Sequence, residues 1–116
     1  MLFRSGERLA LIESQLQDIT QVICDIYSRY RFETMVFEKR KEEILHSSDL
    51  CRLMTEAQKR SYGDGLDENV MHPYMWVCKG HYYGPTFYNF PYAFGGLFAR
   101  GLYAQYERDG ASFVPK

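Results

Sequence analysis

From Glu7 to Leu45 the chain contains no proline and no glycine. Nothing in that run forces the backbone out of a helix. Apolar residues recur at Leu9, Ile12, Leu16, Ile19, Ile23, Ile26, Tyr30 and Phe37. Their spacing alternates between three and four, which puts them on one face of a helix. A fully helical run would be about 57 Å long at about 1.5 Å per residue. Few single domains accommodate such a rod unbroken, so a kink or break is expected within it. Val22, Phe32, Met35 and Val36 widen the apolar face beyond a coiled-coil seam. The pattern therefore predicts a helix buried in a larger helical body.

Glu33 falls on the apolar stripe, between Tyr30 and Phe37. A buried carboxylate must be paired or hydrogen-bonded. The stripe leaves open a structural ion pair, a rotated face or a role in a site. The charge run Glu38–Glu43 mixes both signs at helical spacing. It reads as a solvated face on which Lys39 and Glu43 can pair.

Ser47 and Ser48 are suitable helix caps, and a second helix is expected from about Asp49 to Tyr62. Gly63 can end it in a conformation with positive φ. Residues 63–87 carry many glycines and prolines and no sustained period, so they are expected to be mostly loop, with a helical turn near Pro73–Val77. A third helix is expected from Phe90 or Pro91 to about Asp109, stopped by Gly110. Its small residues Gly95, Gly96, Ala99 and Gly101 suit a close approach by another backbone. No strand pattern of convincing length occurs. The expected class is all-α: a long helix, a shorter helix, an aromatic loop containing glycine and proline, and a C-terminal helix.

The net charge of −1 gives no electrostatic case for nucleic acid or a membrane surface. No apolar run is long enough for a membrane span. Cys24, Cys51 and Cys78 are evenly and widely spaced, unlike metal ligands or a dense disulfide framework. They are read as buried thiols of a cytoplasmic protein. Residues 1–116 are enough for one domain at most. Met1–Ser5 matches, codon for codon, the end of a common sequencing adapter when read from a GTG start. We expect that segment to be non-native and set it aside from fold reasoning.

The segment Gly80–Gly96, GHYYGPTFYNFPYAFGG, holds most of the chemistry. Between His81 and Phe94, seven of fourteen residues are aromatic and four of these are tyrosines. Neutral phenols are hydrogen-bond donors at pH 7. Glycine lets a backbone come close to a ligand. A histidine followed by phenols in such a loop suits a site that grips a substrate carbonyl. Donors of this kind, aimed at a developing oxyanion, are each worth roughly 3–4 kcal/mol in a transition state. Tyr88 and Tyr92 are four apart and share a face if the third helix starts early. An aromatic core cluster is the plain alternative, at the cost of satisfying every hydroxyl. Among the three histidines, His46 reads as a helix-end residue and His72 as a turn residue. No His-x-x-x-His or Cys-x-x-Cys pattern is present, so no zinc site is encoded in recognisable form.

The run KGHYYGPTFYNFPYAFGGLFARGLYAQY resembles the C-terminal half of the zinc oligoendopeptidase F family of metallopeptidases. ITQVICDIYSRYRFETMVF and EAQKRSYGDGLD are similar to segments that precede this motif in the family. The resemblance covers nearly the whole chain from Gly6, and its most specific phrase is FYNFPYAFG. It implies a fragment of a large helical peptidase that cleaves short peptides. Catalytic zinc in that family is held by a His-Glu-x-x-His helix and a downstream glutamate, which would lie upstream of Gly6 and are absent from this sequence. The remainder of the catalytic domain is thus an implied partner. What the chain matches is the substrate-binding and oxyanion-stabilising loop. His81 matches the histidine that contacts substrate near the zinc, and Tyr88 and Tyr92 match the tyrosines that face the scissile carbonyl. The gap from His81 to Tyr88 is shorter than in many members, which makes Tyr83 a reserve donor, with Gly84 beside it in the substrate-binding loop. The alternative is a small helical peptide-binding or structural module without catalysis.

Overall fold

The computed structural model describes residues 5–114. The expectation that residues 1–5 are non-native falls, Ser5 apart, outside that range. Described residues form helices and turns with no strand among them, so the chain is all-α. The elements are α1 (Ser5–Thr20), α2 (Ile26–Lys39), α3 (Ser47–Tyr62), α4 (Met75–Cys78) and α5 (Phe90–Asp109).

The expected break in the long helix is a π-helical turn, Gln21–Asp25, between α1 and α2. The flanking residues Thr20 and Ile26 keep helical φ and ψ, so α1, the turn and α2 form one continuous rod. At about 1.5 Å per residue that rod is about 52 Å long. It accounts for most of the molecule's 57 Å longest dimension. Beyond Lys39 the chain turns, and the helix does not reach Leu45 as the pattern predicted. The mixed charges there pair only at the surface, Lys39 with Glu43 at 3.2 Å and Lys41 with Glu38 at 2.9 Å. Pairs this exposed add little to stability.

Helix α3 begins two residues earlier than expected. Its cap position is His46, not a serine, and the Asp49 carboxylate reaches back to accept from the His46 backbone N–H at 3.1 Å. His46 therefore sits at the start of a helix, not at the end that favours positive charge. Gly63 ends α3 with φ 60° and Gly110 ends α5 with φ 60°. Glycine adopts that conformation without steric cost.

The core lies between α2 and α3. Phe32, Leu53, Met54 and Ala57 are buried together, and Met35, Leu50, Met75, Trp76 and Tyr82 pack around them. Each such buried large side chain contributes roughly 1.5–3 kcal/mol. The first half of the apolar stripe is different. Leu9, Ile12, Leu16 and Ile23 are more than half exposed, so the α1 face that was expected to be buried is open in this chain. Cys24 and Cys51 are half-buried and Cys78 is exposed, which corrects the expectation of three buried thiols. Cys78 lies at the last residue of a single helical turn, too short to cover it.

Candidate functional site

The aromatic segment is held in place from below by α2. Tyr30, Glu33 and Phe37 lie on one face of that helix, as the stripe requires. The ring of Phe87 sits against both aromatics, 5.8 Å from Tyr30 and 5.4 Å from Phe37 between centroids. Between them Glu33, only 6% exposed, receives the backbone N–H of Phe87 at 2.8 Å and the Asn89 side-chain amide at 3.1 Å. The buried carboxylate is thus satisfied by donors from the loop and not by an ion pair. Phe87 has φ 55°, a sparsely populated conformation for an aromatic residue. Such a backbone persists only where its surroundings over-determine it. Asn89 then leads into α5, where Pro91 occupies the first turn, a position that needs no N–H donor.

This arrangement brings three of the sequence-predicted residues together. His81, in the helical turn Gly80–Tyr83, places Nε2 2.8 Å from the Tyr92 hydroxyl. The Tyr88 ring lies nearly parallel to the His81 ring, 6.2 Å away, and edge-on to Tyr92 at 6.4 Å. Tyr88 precedes α5, so the two tyrosines do not share a helix face; the turn at Phe87–Asn89 aligns them instead. Tyr88 and Tyr92 both remain more than a third exposed. Two residues stand apart from the group. The Tyr83 hydroxyl donates to the Trp76 carbonyl at 3.2 Å. Gly84 faces only the Gly80 carbonyl, 4.0 Å from where a Cβ would stand. Tyr82 belongs to the core: its ring is 5.1 Å from Phe32, and burial raises the phenol above its usual range.

Chemically, the His81–Tyr92 bond can run either way. With the proton on Nε2, the imidazole donates to the phenol oxygen, and the Tyr92 O–H is then free to donate to a ligand carbonyl. With the proton on Nδ1, Tyr92 donates to the ring and is occupied. A neighbouring carbonyl favours the first state, because it leaves two phenols, Tyr92 and Tyr88, available as donors.

A cleft of about 540 Å³ opens beside this pair, lined by Gln21, Arg29, Lys79, Gly80, His81 and Tyr92 among others. The π-helical turn forms one wall. Turns of this kind are frequent at functional sites. A second, apolar groove of about 450 Å³ runs between α5 and the residues Val22–Tyr30. There the side chain of Val22 would lie 3.2 Å from a Cβ at Gly96, so this glycine is the close approach between helix and turn. Gly95 and Gly101 face open space, and the near neighbour of Gly96 is a side chain, so the expected approach of another backbone is not found at these glycines.

Sequence reasoning missed Asn89, Arg29 and Lys79. Asn89 had no motif to mark it, and the two cations meet only through the fold.

Compared with protein-family models, curated proteins and solved structures, the chain matches none. Among the described residues no group of three or more histidine, cysteine, aspartate or glutamate side chains is placed to hold a metal ion. The donor set does not fit the catalytic zinc that the resemblance implies. None of the described helices is long and apolar enough to cross a membrane.

Proposed function

We propose that this chain forms the carbonyl-binding wall of a site that hydrolyses short peptides, as the resemblance to oligoendopeptidase F implies. The observation that carries the reading is the grouping of His81, Tyr88 and Tyr92, with His81 and Tyr92 lining one cleft. Tyr92 donates to the peptide carbonyl and His81 holds the phenol in register. Tyr88, stacked on His81 and half-exposed, supplies a second donor beside the pair. Such donors act most strongly on the charge that develops on the carbonyl oxygen during attack. Among the described residues no group of three or more histidine, cysteine, aspartate or glutamate side chains is placed to hold a metal ion. Zinc and the attacking water belong, in this reading, to residues outside the chain.

The purified chain is accordingly expected to hydrolyse no peptide, with or without added zinc. Zinc-dependent peptidase activity from these 116 residues would sink the division of labour. The in-frame DNA upstream of codon 6 tests the parentage. A His-Glu-x-x-His run there supports the peptidase, and its absence from the native gene overturns it. The apolar groove beside α5 favours a second reading, a module that binds peptides without cleaving them. That reading predicts the same peptide contacts and a native gene without the zinc helix.

A further inference from the structure

The cleft beside His81 and Tyr92 is also lined by two cations, Arg29 and Lys79. Arg29 Nη2 pairs with Asp25 Oδ2, and Lys79 Nζ lies 3.9 Å from the same oxygen. Two cations thus converge on one carboxylate. The site is not open solvent: the side chains of Arg29, Asp25 and Lys79 are 7%, 18% and 25% exposed. A cation this sheltered is costly without a full counter-charge. Arg29 also has spare donor capacity. Among the described residues its guanidinium bonds only to Asp25, and its buried Nε bonds to nothing, although the group carries five N–H donors.

We infer that this cleft binds a carboxylate of the peptide, held by Lys79 and Arg29, next to the carbonyl held by Tyr92. The inference rests on the peptide-binding reading of the same site and adds the substrate class: peptides with an anionic group close to the bound carbonyl. Three observations carry it. Lys79 and Arg29 line the same cleft as His81 and Tyr92. Asp25 is the one carboxylate within ion-pair distance of them among the described residues, and the two cations share a single oxygen of it. At about 540 Å³ the cleft is within the roughly 300–1,000 Å³ of small-molecule sites. A carboxylate satisfies both cations, and Arg29 suits its planar shape. The carboxylate can be the peptide's C-terminus or an acidic side chain, since both present the same two oxygens.

Isothermal titration of the full chain separates these cases with three tripeptides. One is N-acetyl-trialanine with a free C-terminus, the second its C-terminal amide, the third the amide with aspartate at the last position. At least one acid is expected to bind about tenfold more tightly than the plain amide, as a charge-assisted hydrogen bond implies. Preference for the first acid identifies a C-terminal subsite, and preference for the third a side-chain subsite. Lys79→Gln should erase the preference and Lys79→Glu should reverse it, with circular dichroism unchanged in both. Lys79 is chosen over Arg29 because Arg29 is buried on α2 and its loss also disturbs packing. Equal binding of all three peptides, reduced by Tyr92→Phe, overturns the carboxylate subsite and leaves the carbonyl reading standing. No binding of any peptide by the folded chain overturns both.

Discussion

Glu33 and Phe87 are joined across 54 positions of the chain by a 2.8 Å hydrogen bond from the Phe87 backbone N–H to the Glu33 carboxylate. That bond holds a non-glycine residue at φ 55° just before the turn that places Tyr88. The carboxylate is therefore a positioning group for the site, about one helical turn beyond Arg29, which lines the cleft from the same helix. Glu33→Gln keeps an oxygen for Phe87, but the Asn89 amide must either face the new N–H donor to donor or flip its unpartnered Oδ1 toward it and leave its own N–H groups buried and unsatisfied. It is expected to cost about 1–3 kcal/mol of stability, the usual loss for a buried polar group left unsatisfied. Glu33→Ala should cost at least as much. Urea denaturation measures both; a loss below about 0.5 kcal/mol for either would contradict the role.

The three central glycines of α5 should respond differently to alanine. Gly95 and Gly101 have nothing within 4 Å of where a Cβ would stand, and both lie in helix interior. Alanine there should stabilise by about 0.5–1 kcal/mol. At Gly96 the new methyl meets Val22 at 3.2 Å, which offsets the gain. The thermal midpoint of Gly96→Ala should fall below those of the other two variants. Equal midpoints would mean that α5 does not pack on the π-helical turn as described.

Tyr82 places a hydroxyl in the core with no hydrogen-bond partner among the described residues. Burial raises its ionisation above the ordinary 10.0. The folded state thus disfavours the phenolate. Stability from this group is intact below about pH 10 and declines as pH rises past the unfolded value toward the folded one. Tyr82→Phe keeps the ring packed on Phe32 and removes the unpaired oxygen. We expect it to stabilise the chain by about 1 kcal/mol at neutral pH and to flatten the alkaline decline. A destabilised variant would show that the hydroxyl is satisfied.

The helices were legible because their signals are local. The three-and-four spacing, Pro91 and the stop glycines Gly63 and Gly110 each act within a turn or two of where they stand. The loop aromatics announced the site by density alone, and His81, Tyr88 and Tyr92 do meet. What could not be read is what depends on long-range closure. Glu33 stood out as an anomaly on the stripe, but its partners lie more than fifty residues away. The sequence pattern extends the helix past Lys39 because nothing in EKRKEE forbids it; solvated charges give the chain no buried face to continue for. Asp49 and not a serine makes the cap bond, a choice that depends on which residue takes the extended φ and ψ before α3. The Arg29–Asp25–Lys79 cluster joins the π-helical turn to the segment before His81, and no sequence spacing encodes that meeting.

The central claim is that Tyr92, backed by His81, receives a peptide carbonyl. Nuclear magnetic resonance of the full chain, with the His81 ring and the tyrosine rings resolved, tests it with N-acetyl-trialanine amide as the titrant. The account predicts that the peptide shifts the His81, Tyr88 and Tyr92 ring signals in a saturable way and moves His81 toward the Nε2–H tautomer. Tyr92→Phe should weaken binding about fivefold to tenfold while Tyr83→Phe leaves it unchanged. Saturable binding that Tyr92→Phe does not alter, or no shift at His81 at all, would contradict it.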